Sequence, residues 1–202
     1  MSREAVGDAV SPSSGFGVVA IATSAGGLHA LDEILSRLTP DFQAPIVVVQ
    51  HISRSRESIM AKILARKTPL RVKEAEDGER IVPGCVYTAP SDYHLLVGPE
   101  GTLELTSTDL VHFVRPSADL LFQSVAESFG SRAIAVVATG TGFDGATGVR
   151  AIKRSGGVVI VQDELSSEFF GMPGAAIDTG DVDHILPLDQ IAAALTRLTS
   201  VA

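Results

Sequence analysis

Residues 17–27, GVVAIATSAGG, decide the expected fold because they join a strand to a helix through a turn that contains glycines. The unbroken run of small and β-branched residues predicts a strand that is buried on both faces, as in parallel sheets. Leucines and isoleucine then recur at helical spacing over residues 28–38, and Pro40 follows where the helix would end. This strand–turn–helix unit is typical of α/β proteins.

The same alternation continues along the chain and predicts a mostly parallel sheet. Further strands are expected at 44–50, 133–138 and 158–161, and helices around 59–64, after Ser117, at 144–155 and at 188–198. Between 68 and 105, the motifs CVYTA, HLLV and TLELT predict antiparallel hairpins beside the main sheet. We expect residues 1–15 to be a flexible segment and residues 16–202 to form one folded domain.

Composition excludes several classes of protein. The 202 residues include 16 Lys and Arg against 24 Asp and Glu, a formal charge of -8, whereas nucleic-acid binding needs a basic face. The single cysteine, Cys85, excludes an internal disulfide and a cysteine metal cage. The chain lacks both a signal peptide pattern and an apolar run of the ~18 residues that a membrane span needs. We therefore expect a cytoplasmic protein that is not embedded in a membrane.

Polar residues follow the first two strands, at the edge of the sheet where ligands bind in α/β proteins. Ser24 follows the first strand and His51 the second. A serine hydroxyl there can attack a carbonyl while the imidazole takes its proton. The alternatives are that Ser24 only caps the next helix and that His51 only bonds to backbone at the rim.

A third strand end carries the sequence TGTGFDGA at 139–146. Asp144 in this segment fits two roles: a carboxylate that orients His51, as in a catalytic triad, or the N-cap of its own helix. The segment also spells GxGxxG, a weak dinucleotide fingerprint that leaves Ser24 and His51 without a role. The order Ser24, His51, Asp144 differs from the order found in common α/β-hydrolases.

Seven longer motifs occur in one order along the chain: IATSAGG at 21–27, VVQHIS at 48–53, APSDYHL at 89–95, RPSADLLFQS at 115–124, ATGTGFDGATG at 138–148, QDELSSEFFGMPGAAI at 162–177 and DHILPLDQI at 183–191. In these motifs the chain resembles the catalytic domain of the CheB-type protein-glutamate methylesterases of chemotaxis. The resemblance extends over residues 18–198.

The resemblance implies a doubly wound, mostly parallel sheet with helices on both faces. It also implies a serine hydrolase that demethylates glutamate methyl esters on methyl-accepting chemoreceptors, and some relatives deamidate glutamines as well. The triad of the family aligns with Ser24, His51 and Asp144. Neither a metal nor an organic cofactor is implied.

Further site residues follow from the chemistry and the resemblance together. The backbone N–H groups of Ala25 and Gly26 are expected to hold the oxyanion. Thr141 and Gly142 are candidates for the substrate cleft, and Thr141 stands where the family usually has a methionine that shapes the site. Arg115 and Met172 are also cleft candidates, although Arg115 fits a structural role and Met172 fits the core.

Two departures leave other functions open. The given sequence does not include the family's usual amino-terminal receiver domain, so it is either a fragment of a longer protein or a stand-alone esterase that is regulated by other means, and Met1 slightly favours the second expectation. The changed residues around Ser24 and at Thr141 keep open a weakly catalytic module that binds receptor or signalling helices. A methylesterase of a sensory pathway outside chemotaxis is the third hypothesis.

Overall fold

The computed structural model describes residues 17–51 and 59–200, so the expected flexible segment at 1–15 lies outside the described residues. The strands are β1 (Val18–Thr23), β2 (Ile46–Gln50), β3 (Arg71–Glu74), β4 (Cys85–Thr88), β5 (His94–Val97), β6 (Leu103–Thr106), β7 (Ala133–Val137), β8 (Val158–Gln162) and β9 (His184–Leu186). The α-helices are α1 (Gly27–Leu35), α2 (Met60–Leu64), α3 (Ala118–Phe129), α4 (Ala146–Arg154), α5 (Gly171–Ile177) and α6 (Leu188–Thr199).

Seven strands form one parallel sheet in the order β3–β4–β2–β1–β7–β8–β9. Strands β5 and β6 form a separate antiparallel pair. The prediction of a doubly wound, mostly parallel sheet with a small hairpin is therefore confirmed. None of the helices in the described part of the chain could span a lipid bilayer.

The central strands are apolar on both faces because the sheet has a core on each side. Val18, Ala20 and Ala22 of β1 point into one core, which α3, α4, α5 and the β5–β6 hairpin cover. Val19 and Ile21 point into the other core, beneath α1, α2 and α6. Since both faces are buried, the strand sequence shows no alternation of polar and apolar residues.

One sequence-based assignment was wrong. The motif CVYTA was expected in an antiparallel hairpin, but its first four residues form β4, which lies inside the parallel sheet between β2 and β3. All four residues of β4 are buried. A run of four residues does not reveal its partners, because strand pairing is decided by contacts that are distant in sequence. The hairpin predicted from HLLV and TLELT is confirmed as β5 and β6.

The helices that follow β1 and β7 cover opposite faces of the sheet. The chain therefore diverges between these adjacent strands and leaves a crevice at their carboxyl ends, where ligands bind in such folds. Ser117 caps α3 as predicted, with its side chain accepting from the Leu120 N–H. Helix α4 begins at Ala146, later than expected, so Asp144 lies in the loop before it.

We expect Phe122→Ala to destabilise the protein by about 3–5 kcal/mol, because the ring fills the contact between α3 and α4 and leaves a cavity when removed. Phe122 is 0% exposed, and a Cβ placed on Gly148 of α4 would lie 2.5 Å from its Cβ. Urea unfolding measures the loss. Leu165→Ala is the control, since Leu165 is 97% exposed and its loss should change the unfolding free energy by under about 0.5 kcal/mol. Similar losses in both variants would contradict this account of the core.

Candidate active site

Ser24 and His51 are neighbours because the register of the sheet places them side by side. Thr23 pairs with Gln50 at the ends of β1 and β2, so Ser24 and His51 take the next positions on adjacent strands, about 4.8 Å apart in backbone spacing. The His51 N–H donates to the Thr23 carbonyl at 3.0 Å. The Ser24 N–H donates to the Thr139 carbonyl beyond β7, also at 3.0 Å. Backbone hydrogen bonds thus join the three strand ends.

The imidazole of His51 meets the carboxylate of Asp144. The distance from His51 Nε2 to Asp144 Oδ2 is 2.8 Å, and their side chains are 11% and 4% exposed. With Nε2 on the carboxylate, Nδ1 is the ring nitrogen left to accept from the Ser24 hydroxyl. In the serine proteases the aspartate meets Nδ1, so the carboxylate meets the other ring nitrogen here.

Asp144 is anchored by the start of helix α3. Its Oδ2 also accepts from the Ala118 N–H at 2.6 Å, and its Oδ1 accepts from the Ser117 hydroxyl at 2.8 Å and the Asp119 N–H at 3.2 Å. Asp144 therefore caps α3 rather than its own helix, whose N-cap residue is Gly145 and has no side chain to contribute. This corrects the alternative reading of Asp144 as the N-cap of α4.

Burial alone would raise the pKa of Asp144, but the hydrogen bonds from His51 and the Ala118 N–H outweigh it and lower this pKa below its ordinary value. The carboxylate therefore stays ionised beside the imidazole. An ionised partner is what a protonated imidazole needs for stabilisation during a hydrolytic cycle.

Gln50 holds the serine turn, a role that was not predicted from the sequence. Its Oε1 accepts from the Thr23 hydroxyl, and its Nε2 donates to the carbonyls of Ser24 at 2.6 Å and His51 at 3.2 Å. The amide is largely buried. One side chain thus fixes the backbone on both sides of the serine–histidine pair. The sequence feature that could have indicated this role is a polar residue at the end of β2, whose other residues are aliphatic.

Gly140 lies directly against the serine. A Cβ at this position would lie 2.8 Å from Ser24 Cβ and 2.5 Å from Met172 Sδ. The Met172 N–H donates to the Gly140 carbonyl at 2.9 Å, and Met172 is buried. Met172 therefore packs under the loop that contains Gly140. Thr141 and Gly142 are exposed on this loop. The roles of Thr141, Gly142 and Met172 in binding substrate stay predictions.

The turn after Ser24 presents two N–H groups. Those of Ala25 and Gly26 have no backbone acceptor within 17–51 and 59–200. Gly26 has a φ of 77°, and a Cβ there would lie 2.7 Å from Oε2 of Glu168, so only glycine suits this position. Two N–H donors next to a serine hydroxyl suit an oxyanion, and this assignment stays a prediction.

Arg115 is bonded within the protein. Its Nη2 lies 2.7 Å from Asp92 Oδ1, and its Nη1 donates to the carbonyls of Ser107 and Thr108 at 2.6 and 2.7 Å. These contacts hold the loop that leads to α3. The guanidinium of Arg115 therefore has a structural role. Its place in the substrate cleft remains a prediction.

A cavity of about 520 Å³ opens beside Ser24. Ser24, Gly26 and Gln50 line one part of it, and Leu28 and His29 of α1 another. His51 and Asp144 do not line this cavity, which extends from Ser24 toward α1 and α2. Ser24 can serve as a nucleophile, His51 as a base and Asp144 as an ionised carboxylate. These are the groups that acyl transfer through a covalent intermediate requires.

The chain is similar to known proteins over most of its length. The family model described as CheB methylesterase matches residues 19–195. The crystal structure of the Thermotoga maritima CheB methylesterase catalytic domain superposes with a TM-score of 0.87 at 41% identity, covering 92% of this chain and 99% of that one.

Two curated relatives show how much of their length the chain spans. Protein-glutamate methylesterase FrzG of Myxococcus xanthus is 45% identical over 190 residues, which cover 94% of this chain and 57% of FrzG. A putative protein-glutamate methylesterase/protein-glutamine glutaminase of Leptospira interrogans is 41% identical over 180 residues, which cover 89% of this chain and 93% of the relative. The chain thus spans little more than half of FrzG and nearly all of the Leptospira protein.

We expect Gly140→Ala to slow the labelling of Ser24 by a fluorophosphonate by about 10-fold to 100-fold, because the new methyl group must displace the serine. Mass spectrometry of the labelled peptide measures the rate. Adding Met172→Ala to the same protein should not restore labelling, since it removes the contact with sulfur but leaves the contact with Ser24. Full recovery in the double variant would show that the serine was not displaced by a direct clash.

The lowered pKa of Asp144 predicts how stability varies with pH. Folding favours the ionised form, so its stabilising contribution is present above the ordinary carboxyl pKa of 3.8 and is lost as pH falls through the lower pKa of the folded protein. The difference in unfolding free energy between the wild type and Asp144→Asn should therefore be largest near neutral pH and shrink below about pH 4. Urea titrations from pH 7 downward measure this difference, and a constant difference would contradict the expected ionisation.

Proposed function

The chain belongs to the CheB methylesterase family, and on this premise we propose that it hydrolyses glutamate methyl esters on chemoreceptor-type proteins. The observation that carries the proposal is the 2.8 Å contact between His51 and Asp144, at the end of the strand that is paired with the one before Ser24. A hydroxyl alone is a weak nucleophile at neutral pH, and an adjacent oriented base is what activates it.

In the proposed first step, Nδ1 of His51 takes the proton of Ser24 as Oγ attacks the carbonyl carbon of the ester. The carbonyl oxygen gains the negative charge, and the N–H groups of Ala25 and Gly26 hold it. Asp144 stabilises the imidazolium through Nε2. The imidazolium then gives its proton to the departing oxygen, and methanol leaves.

In the second step, water replaces methanol at the acyl-enzyme. His51 takes a proton from the water as its oxygen attacks the acyl carbon, and the proton passes to Ser24 as the ester bond to the enzyme breaks. The products are the glutamate side chain and the restored serine. Every proton in the cycle is carried by His51, and Asp144 stays ionised throughout.

The same residues can act on a glutamine side chain. An amide and a methyl ester form the same acyl-enzyme, and they differ only in whether ammonia or methanol leaves. The printed name of the Leptospira relative includes protein-glutamine glutaminase. We therefore include receptor glutamines as a second substrate of the same site.

The proposed partner is a methylated receptor that presents its side chains to the crevice from the cytoplasm. The hypothesis of a weakly catalytic binding module is not favoured by the comparisons, since the relatives are named as methylesterases. Thr141, which motivated that hypothesis, is an exposed loop residue and does not contribute to the bonds that hold His51 and Asp144.

We expect Ser24→Ala and His51→Ala each to lower methanol release from methylated receptor membranes by about 10⁴-fold or more, by analogy with serine hydrolases. Ammonia release from receptor glutamines should fall in the same variants. Ser36→Ala and His184→Ala are matched controls, because both residues are exposed and lie outside the site, and both should retain turnover. Full turnover in either site variant would exclude the mechanism, and receptor binding by the wild type without methanol release would favour the binding module.

A further inference from the structure

A second buried carboxylate faces Asp144. Asp119, in the first turn of α3, is 3% exposed. Its Oδ1 accepts from the N–H groups of Gly145 and Gly148 at 3.0 and 2.7 Å, at the start of α4. Asp144, immediately before α4, meanwhile accepts from the N–H groups at the start of α3. The two helices therefore exchange capping carboxylates. Asp119 of α3 accepts from the start of α4, and Asp144, in the loop before α4, accepts from the start of α3.

Helix α4 depends on this exchange because it has no capping side chain of its own. Gly145 occupies the N-cap position with a φ of 107°. The first N–H groups of a helix have no partner within the helix, and buried ones must find an acceptor. Asp119 is that acceptor. One of the N–H groups that it accepts from belongs to Gly145, the residue directly after Asp144.

His112 completes the arrangement on the other side of Asp144. Its Nε2 lies 3.0 Å from Asp119 Oδ2, and its ring packs edge-on against Phe143 with centroids 4.6 Å apart. Phe143 directly precedes Asp144 in the chain. Asp119 therefore holds the backbone N–H after Asp144, and His112 packs against the side chain of the residue before it.

A metal site is the obvious alternative for these residues, since ligand atoms of His112, Asp119 and Asp144 lie within 4.8 Å of one another. Each of the four carboxylate oxygens, however, lies within hydrogen-bonding distance of a backbone N–H, a hydroxyl or an imidazole nitrogen of the protein itself. The hydrogen bonding favours a structural role for the cluster over a metal site.

We propose that Asp119 is a positioning residue that keeps Asp144 on His51 by capping helix α4, with His112 holding the other carboxylate oxygen. The inference rests on the proposed function in one respect, that Asp144 serves the hydrolytic triad. It concerns a residue that touches neither the substrate nor the reacting atoms.

Two substitutions at this position separate geometry from charge. Asp119→Ala removes both the charge and the acceptors for α4. Asp119→Asn removes the same charge but keeps a carbonyl oxygen for Gly145 and Gly148, and its amide nitrogen can donate to His112. Burial raises the pKa of Asp119, so a neutral side chain of the same shape is a mild replacement.

With methylated receptor membranes as substrate, we expect Asp119→Ala to lower kcat by about 10-fold to 100-fold and to change KM by less than about twofold. Asp119→Asn should recover most of the lost kcat. Circular dichroism verifies folding, and if the alanine variant does not fold, Asp119→Ser replaces it, since its side chain is too short to reach α4. An unchanged kcat in the alanine or serine variant, or an equal loss in the asparagine variant, would overturn the proposal.

A measurement without substrate distinguishes failure of this proposal from failure of the proposed function. The ring proton that His51 donates to Asp144 should give a downfield proton NMR signal that disappears in His51→Ala. We expect the signal to remain sharp in the wild type and in Asp119→Asn and to broaden or vanish in Asp119→Ala. If the wild type releases no methanol, the proposed function fails, yet this signal still tests the positioning. An identical signal in Asp119→Ala would overturn it.

Discussion

The hydrogen bonds to the carboxylate of Asp144 are the interaction on which the rest of the site depends. A buried charge is tolerated only when it is well bonded, and Asp144 receives bonds from His51, Ser117 and two N–H groups of α3. The positive end of the α3 dipole adds to this stabilisation. The same carboxylate thus starts a helix and orients an imidazole. The packing of α3 and the geometry of the site are therefore coupled.

The position of the nucleophile depends on a different constraint, the parallel register of β1 and β2. Ser24 and His51 are side by side because Thr23 and Gln50 are paired, and the Gln50 amide ties both backbones together. The serine faces Gly140 on its other side, where no side chain fits. Rigid strand ends hold the reacting groups, and this suits catalysis, which loses rate when groups shift by about 1 Å.

Much of this arrangement was predictable because local pattern and sheet topology agree. Buried strands and helical spacing identified an α/β sheet, and polar residues after three strands indicated Ser24, His51 and Asp144, which the structure does bring to one edge. The sequence-based predictions that were wrong have a common cause. The pairing of β4 and the capping of α3 by Asp144 join segments that lie far apart in the chain, and no local pattern encodes such contacts.

The α/β class, most of the central strands and helices, and the residue types that follow three of the strands can be derived from the amino-acid pattern, because hydrophobic periodicity and turn residues act over short distances. Packing determines which ring nitrogen of His51 meets the carboxylate, that Gln50 holds the serine turn, and that α3 and α4 exchange capping carboxylates. These features depend on distances of a few ångströms between groups on different elements, and such distances exist only once the sheet and its helices have packed.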